Sequence, residues 1–171
     1  FIDQTQQTNL TYFYNADDSW AAGVSTFDFD EDGYDDITFV SSSGTLTLWQ
    51  NNQMGQFDNF ILVPVPEGNM KSITWVDYDN DMDNDLFLTY RDLGIRLFEN
   101  VGDFVFNDVT SNSGLTTQPS MAFGSSWVDI NNDGLLDLYV SNYDDQYSYY
   151  DYPTTNYLYK NIGNGSFIDI S

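Results

Sequence analysis

The chain has 171 residues, with 27 acidic and 4 basic side chains and neither cysteine nor histidine. A formal net charge of −23 excludes nucleic acid as a partner, because phosphate binding needs Lys and Arg. Disulfides and thiol chemistry are excluded too, as are the commonest general base and the commonest transition-metal ligand.

The length suits one ordinary domain. No apolar run is long enough to span a membrane. No signal peptide is visible, and the chain opens at Phe1 rather than Met, as a processed or trimmed chain would. Aromatic residues make up 18 %, and Tyr, Phe, Val, Ile and Thr favour pleated surfaces. Helical periodicity is hard to find. The predicted fold class is all-β.

Phe1-Ile2-Asp3-Gln4-Thr5 reads as the end of a repeat whose beginning is absent, since similar runs open at Phe57, Phe106 and Phe167. A variable link over residues 6–18 follows. A strand from Gly23 to Phe27 then enters Asp28-Phe29-Asp30-Glu31-Asp32-Gly33-Tyr34-Asp35-Asp36. Acidic side chains this close repel one another unless a cation lies among them. Asp28, Asp30 and Asp32, at alternate positions, can turn oxygens toward one point. Gly33 permits the sharp turn, the Tyr34 carbonyl can face inward, and Asp36 closes the far side. An irregular all-oxygen cage suits Ca²⁺ better than Mg²⁺. The stretch has no glutamate at position twelve and no flanking helices, which excludes an EF-hand.

A strand leaves the loop at Ile37 to Val40, and another runs from Leu46 to Asn51. A turn then leads to Phe57. The whole series comes back twice. Strands are predicted at Ser72 to Val76, Leu86 to Thr89 and Ile95 to Asn100 around the acidic stretch Asp77–Asp85. They recur at Gly124 to Val128, Leu138 to Ser141 and Tyr157 to Asn161 around Asp129–Asp137. Alternating apolar residues give each strand a packed face and a wetter one. Trp75 and Trp127 hold equivalent places two residues before a loop, where the first unit has Thr26; blade core is their expected role.

The period is roughly fifty residues, which marks a repeat architecture. The predicted units are 1–56, 57–105 and 106–166, with 167–171 starting the next. Unit three carries a Tyr- and Asp-rich insertion over 142–153, expected to protrude as a loop. Four short strands per unit mark a β-propeller blade, and a closed ring takes about four to eight blades. The 171 residues are therefore expected to form one propeller segment, completed by further blades from a longer parent chain or by another copy.

The three acidic stretches, with LYKNIGNGSFIDIS and FENVGDFVFNDVTSNSGL, resemble the VCBS/FG-GAP repeat superfamily, which includes the integrin α-subunit propeller. FIDQTQQTNL followed by GVSTFDFDEDGYDD is similar, more narrowly, to the N-terminal end of cartilage-acidic-protein/UnbV-type secreted repeat proteins. The resemblance implies a propeller, usually seven-bladed, with one Ca²⁺ in a loop joining two strands of a blade. By position it implies side-chain ligands from Asp28, Asp30, Asp32 and Asp36, from Asp77, Asp79, Asp81 and Asp85, and from Asp129, Asn131, Asp133 and Asp137. The carbonyls would come from Tyr34, Asp83 and Leu135. Met82 departs from the pattern by replacing the loop glycine, which weakens the expectation for the second site.

These features define the expected function: a calcium-binding extracellular module, with up to three structural Ca²⁺ ions, that recognises protein or glycan at the cell surface. Weak extracellular sites fill at about 0.1–1 mM calcium, which the cytosol does not supply. The absence of cysteine favours an exported bacterial protein. The alternatives are a lectin, because exposed aromatics stack on sugars, and a carbohydrate-cleaving propeller enzyme. Catalysis is not expected. A glycosidase needs two acids facing each other across a cleft, and Glu67 and Glu99 form no such pattern.

Overall fold

A computed structural model describes residues 3, 7–10, 23–40, 46–143 and 154–171. The described residues form twelve strands and no helix. The first sheet contains β1 (Val24–Phe27), β2 (Asp36–Val40), β3 (Leu46–Asn51) and β4 (Phe57–Val63). The second contains β5 (Met70–Val76), β6 (Asp85–Tyr90), β7 (Gly94–Asn100) and β8 (Phe106–Asp108). The third contains β9 (Ala122–Val128), β10 (Asp137–Asn142), β11 (Tyr157–Asn161) and β12 (Phe167–Asp169). Each is a four-stranded antiparallel sheet with its strands in sequence order, the form of a propeller blade.

The strands are grouped one step out of phase with the units read from the sequence. Those units begin at a Phe run, whereas β4, β8 and β12 hydrogen-bond to the third strand of the sheet before them. The connection explains the difference. A short turn joins β3 to β4, and hairpin neighbours pair readily, while longer stretches separate each Phe strand from the next β1-type strand. All of the Phe1–Thr5 run but Asp3, and most of the Tyr-rich insertion, residues 144–153, lie outside the described residues.

The sheets stack face to face, and each interface has its own apolar core. Leu48 of the first sheet meets Trp75, Leu86 and Leu88 of the second. On its opposite face the second sheet presents Val76, Phe87 and Leu97 to Leu138, Val140 and Tyr159 of the third. The period-two alternation of a strand assigns these faces: Leu86 and Leu88 turn one way and Phe87 the other. All six residues of β6 are buried because both of its faces are covered. Trp75 stacks on Phe27 and Phe29, and its indole N–H donates to Thr38 Oγ1 (3.1 Å) across the sheet boundary. Trp127 meets Phe87 and Phe167 edge-on, but its buried N–H has no acceptor. Phe87 stands where the first sheet has Thr38, and a phenyl ring offers no lone pair. Both tryptophans are therefore packing residues, as read from the sequence.

Candidate metal centre

Each acidic stretch is the loop between the first two strands of a sheet, and all three are built alike. The carboxylate at position one accepts the backbone N–H groups of positions five and six. Asp28 accepts from Asp32 (3.0 Å) and Gly33 (2.8 Å). Asp77 accepts from Asp81 and Met82 (both 3.2 Å), and Asp129 from Asp133 (3.1 Å) and Gly134 (2.9 Å). The side chain at position three also accepts from the position-five N–H: Asp30 at 3.2 Å, Asp79 at 3.3 Å and Asn131 at 2.9 Å. Asp32, Asp81 and Asp133 in turn accept from the N–H of Tyr34, Asp83 and Leu135 (2.9, 3.0 and 3.0 Å). These bonds curl the backbone around a point and draw the side-chain oxygens inward.

The curl requires left-handed backbone at position six, where φ is 91° at Gly33 and 86° at Gly134. Met82 takes the same conformation at φ 78°, which is strained for a residue with a Cβ.

Position nine closes each loop from within the sheet. Asp36, Asp85 and Asp137 are the first residues of β2, β6 and β10, so each exit strand starts one residue earlier than its apolar run. All three are buried. One carboxylate oxygen accepts the N–H of loop position two, from Phe29 (3.1 Å), Tyr78 (3.4 Å) or Ile130 (3.0 Å). The other accepts the N–H of Asn51 (2.7 Å), Asn100 (2.8 Å) or Asn161 (2.8 Å).

Those asparagines are brace residues that sequence reasoning placed only as turn markers. Each side-chain amide donates to the loop carbonyl at position eight, on Asp35, Asn84 or Leu136 (3.2, 3.2 and 3.1 Å). Each side-chain oxygen accepts the N–H two residues on, from Gln53, Gly102 or Gly163. The signal was present in their fixed distance before the next Phe, which a loose turn would not need. Asn161 also donates to the Tyr78 carbonyl at 2.9 Å, and Asn80 to the Gly134 carbonyl at 3.1 Å. Loops two and three are thereby joined.

Residues 28–88 and 77–140 each match the profile of the FG-GAP-like repeat. The chain belongs to the FG-GAP-like repeat family. No curated protein matches it.

In two of the FG-GAP-like loops the side-chain oxygens converge. Asp28, Asp30 and Asp36 each offer an oxygen within 4.8 Å of the others, and so do Asp77, Asp79 and Asp85. Ligands about 2.3–2.6 Å from one Ca²⁺ lie at most about 5 Å apart, so both triads fit one ion. Burial pushes Asp36 above the ordinary carboxylate range and Asp85 up to about 7. Burial first, and then the neighbouring Asp81, raise Asp79 and Asp83. These are carboxylates poorly compensated as anions, the state in which a cation stabilises them most. One oxygen of Asp83 is buried without a partner.

The position-five acids stand outside the triads, and in loop one Asp32 is engaged by the Gln53 amide (2.8 Å). Loop three differs from the other two. Asn131 replaces an acid and donates to Asp133 (2.9 Å), while Lys160 Nζ stands 4.0 Å from the same Asp133 oxygen. Asp129 is half-buried, and the N–H groups donated to it, Gly134's first, lower its pKa. Tyr34 is exposed, whereas Asp83 and Leu135 are half-buried. The repeats and the two acidic triads fit a calcium-binding module.

Proposed function

We propose that this chain is a calcium-braced segment of an exported β-propeller, which recognises protein or glycan outside the cell and carries out no chemistry itself. The observation that carries this reading is the gathering of carboxylates from positions one, three and nine around a single point in loops one and two. In this reading Asp28, Asp30 and Asp36, then Asp77, Asp79 and Asp85, hold Ca²⁺. Asp32, Asp81 and the carbonyls of Tyr34 and Asp83 complete the shells, and Asp129, Asn131, Asp133, Asp137 and the Leu135 carbonyl form the third site. The bound ion supplies charge compensation; the chain's own brace asparagines hold the ligands in place. No helix among the described residues is long and apolar enough to cross a membrane.

Further blades complete the ring. The outer face of the third sheet supports this part of the reading, because Val128, Ile130, Tyr139, Ile168 and Ile170 are exposed there. Their counterparts in the second sheet include Val76, Tyr78 and Phe87, which are buried against the third. A sheet of the same kind would cover this face as the third covers the second. On the opening sequence motifs we also propose the narrower kinship with cartilage-acidic-protein/UnbV-type proteins.

Thermal melts in calcium and in EDTA test the calcium reading. An ion at ten times its Kd adds about 1.4 kcal/mol per site. For a domain of this size each kcal/mol raises the midpoint by about 2–4 °C. The midpoint is expected to climb with calcium concentration, and a midpoint unmoved at 10 mM calcium would refute the reading.

A further inference from the structure

Gln50, Glu99 and Lys160 occupy one position in the repeat. Each immediately precedes a brace asparagine, and each pairs across its hairpin with the residue after the Phe, namely Asp58, Asn107 or Ile168. The chemistry at this position differs in every sheet. The Gln50 amide donates to Asp30 of loop one. The Lys160 ammonium stands 4.0 Å from Asp133 of loop three. Glu99 stands at the same register place from which Gln50 reaches the third position of loop one, and so brings an anion to the side of loop two. One position thus supplies a neutral donor, an anion and a cation to three loops that share their backbone hydrogen bonds and differ also at Met82 and Asn131.

We propose that the residue before each brace asparagine sets how strongly its loop takes a divalent cation, so that loop two loads first, loop one next and loop three last. The inference rests on the calcium reading above and adds to it a rank order and the residue that determines the order. The physical reason is electrostatic. A lysine beside Asp133 already supplies part of the positive charge that an ion would bring, and it repels the ion. A glutamate at the corresponding place in the second sheet deepens the negative potential that an ion relieves. Gln50 does neither, but its amide must release Asp30 if that oxygen is to turn fully to the metal. Reversing one unit charge close to a divalent ion at the protein surface changes affinity by about tenfold or more at low salt.

Calorimetric titration of the 171-residue chain with calcium chloride at low ionic strength tests this. Three unequal steps are expected, and Asp77→Ala should remove the tightest. Lys160→Glu should strengthen the weakest step about tenfold, with Lys160→Gln falling between it and the parent. Glu99→Lys should weaken the tightest step by a similar factor. Both side chains sit at the loop rim, so melts in EDTA check that each variant keeps its fold. A merely structural role would move those melts and leave the stepwise constants in their original order. Equal constants at the three loops, or charge reversals at 99 and 160 that leave every constant unchanged, would overturn the proposal while the calcium reading stands. Binding at no loop would overturn both.

Discussion

Met82 is the point where the second loop departs from its siblings, and its replacement by glycine should stabilise the chain. Its backbone sits at φ 78° with the side chain 86 % exposed, so the thioether contributes little packing that a glycine would lose. At Gly33 and Gly134 an added Cβ would meet nothing within 4 Å, so the cost of a side chain at this position lies in the backbone and not in a clash. Left-handed geometry costs an L-residue about 1–2 kcal/mol. Glycine returns about 0.4–1 kcal/mol of that through the greater freedom of its unfolded chain. Met82→Gly should therefore gain about 0.5–1 kcal/mol, or about 1–4 °C in a thermal melt. The measurement belongs in EDTA, so that metal affinity does not mask the backbone term. Gly134→Met should lower the midpoint by a comparable amount. A Met82→Gly variant that melts at or below the parent would show that the side chain holds the loop, contrary to this reasoning.

Asn161→Ala should cost about 2–4 kcal/mol in urea unfolding, because it strips hydrogen bonds from the Tyr78 and Leu136 carbonyls at a site only 1 % exposed. Asn51→Ala, whose amide bond to Asp35 lies in an exposed setting, should cost about 1 kcal/mol; equal losses would contradict the bridging role given to Asn161. Trp75→Phe should be about 1 kcal/mol more damaging than Trp127→Phe by chemical denaturation, since only the Trp75 N–H has an acceptor to lose. Asp85→Ala should destabilise the calcium-free protein as well as the loaded one, because the N–H groups of Asn100 and Tyr78 lose their buried acceptor; a loss confined to calcium buffer would give Asp85 to the metal alone.

The strands were legible because each carries a period-two pattern bounded by Asp, Asn or Gly, and Leu46–Asn51 and Tyr157–Asn161 have the bounds read from the sequence. The loops were legible because acids at fixed offsets stand out against any ordinary turn. The grouping of strands into sheets was not, since a repeat can be cut at any phase and only pairing decides where β4 belongs. The brace asparagines were visible as positions but not as partners. Nothing local to Asn161 announces that its amide reaches Tyr78, 83 residues away. The unequal electrostatics of the loops were hidden for the same reason. Gln50, Glu99 and Lys160 lie outside the acidic stretches and reach them only once the third strand is laid beside the second.

The double reach of Asn161 has a mechanical corollary. Its amide clasps the second position of one loop and the eighth of the next, so the seam between the middle and last sheets passes through the acidic loops themselves. No hydrogen bond among the described residues joins loop one to loop two; a cleft of about 220 Å³ lined by Asp30, Asp83 and Phe104 lies there instead. Chelation should therefore be felt more at the boundary between the second and third sheets, where the loops themselves are joined, than at the boundary between the first and second, which is held by its apolar core and the Trp75–Thr38 hydrogen bond.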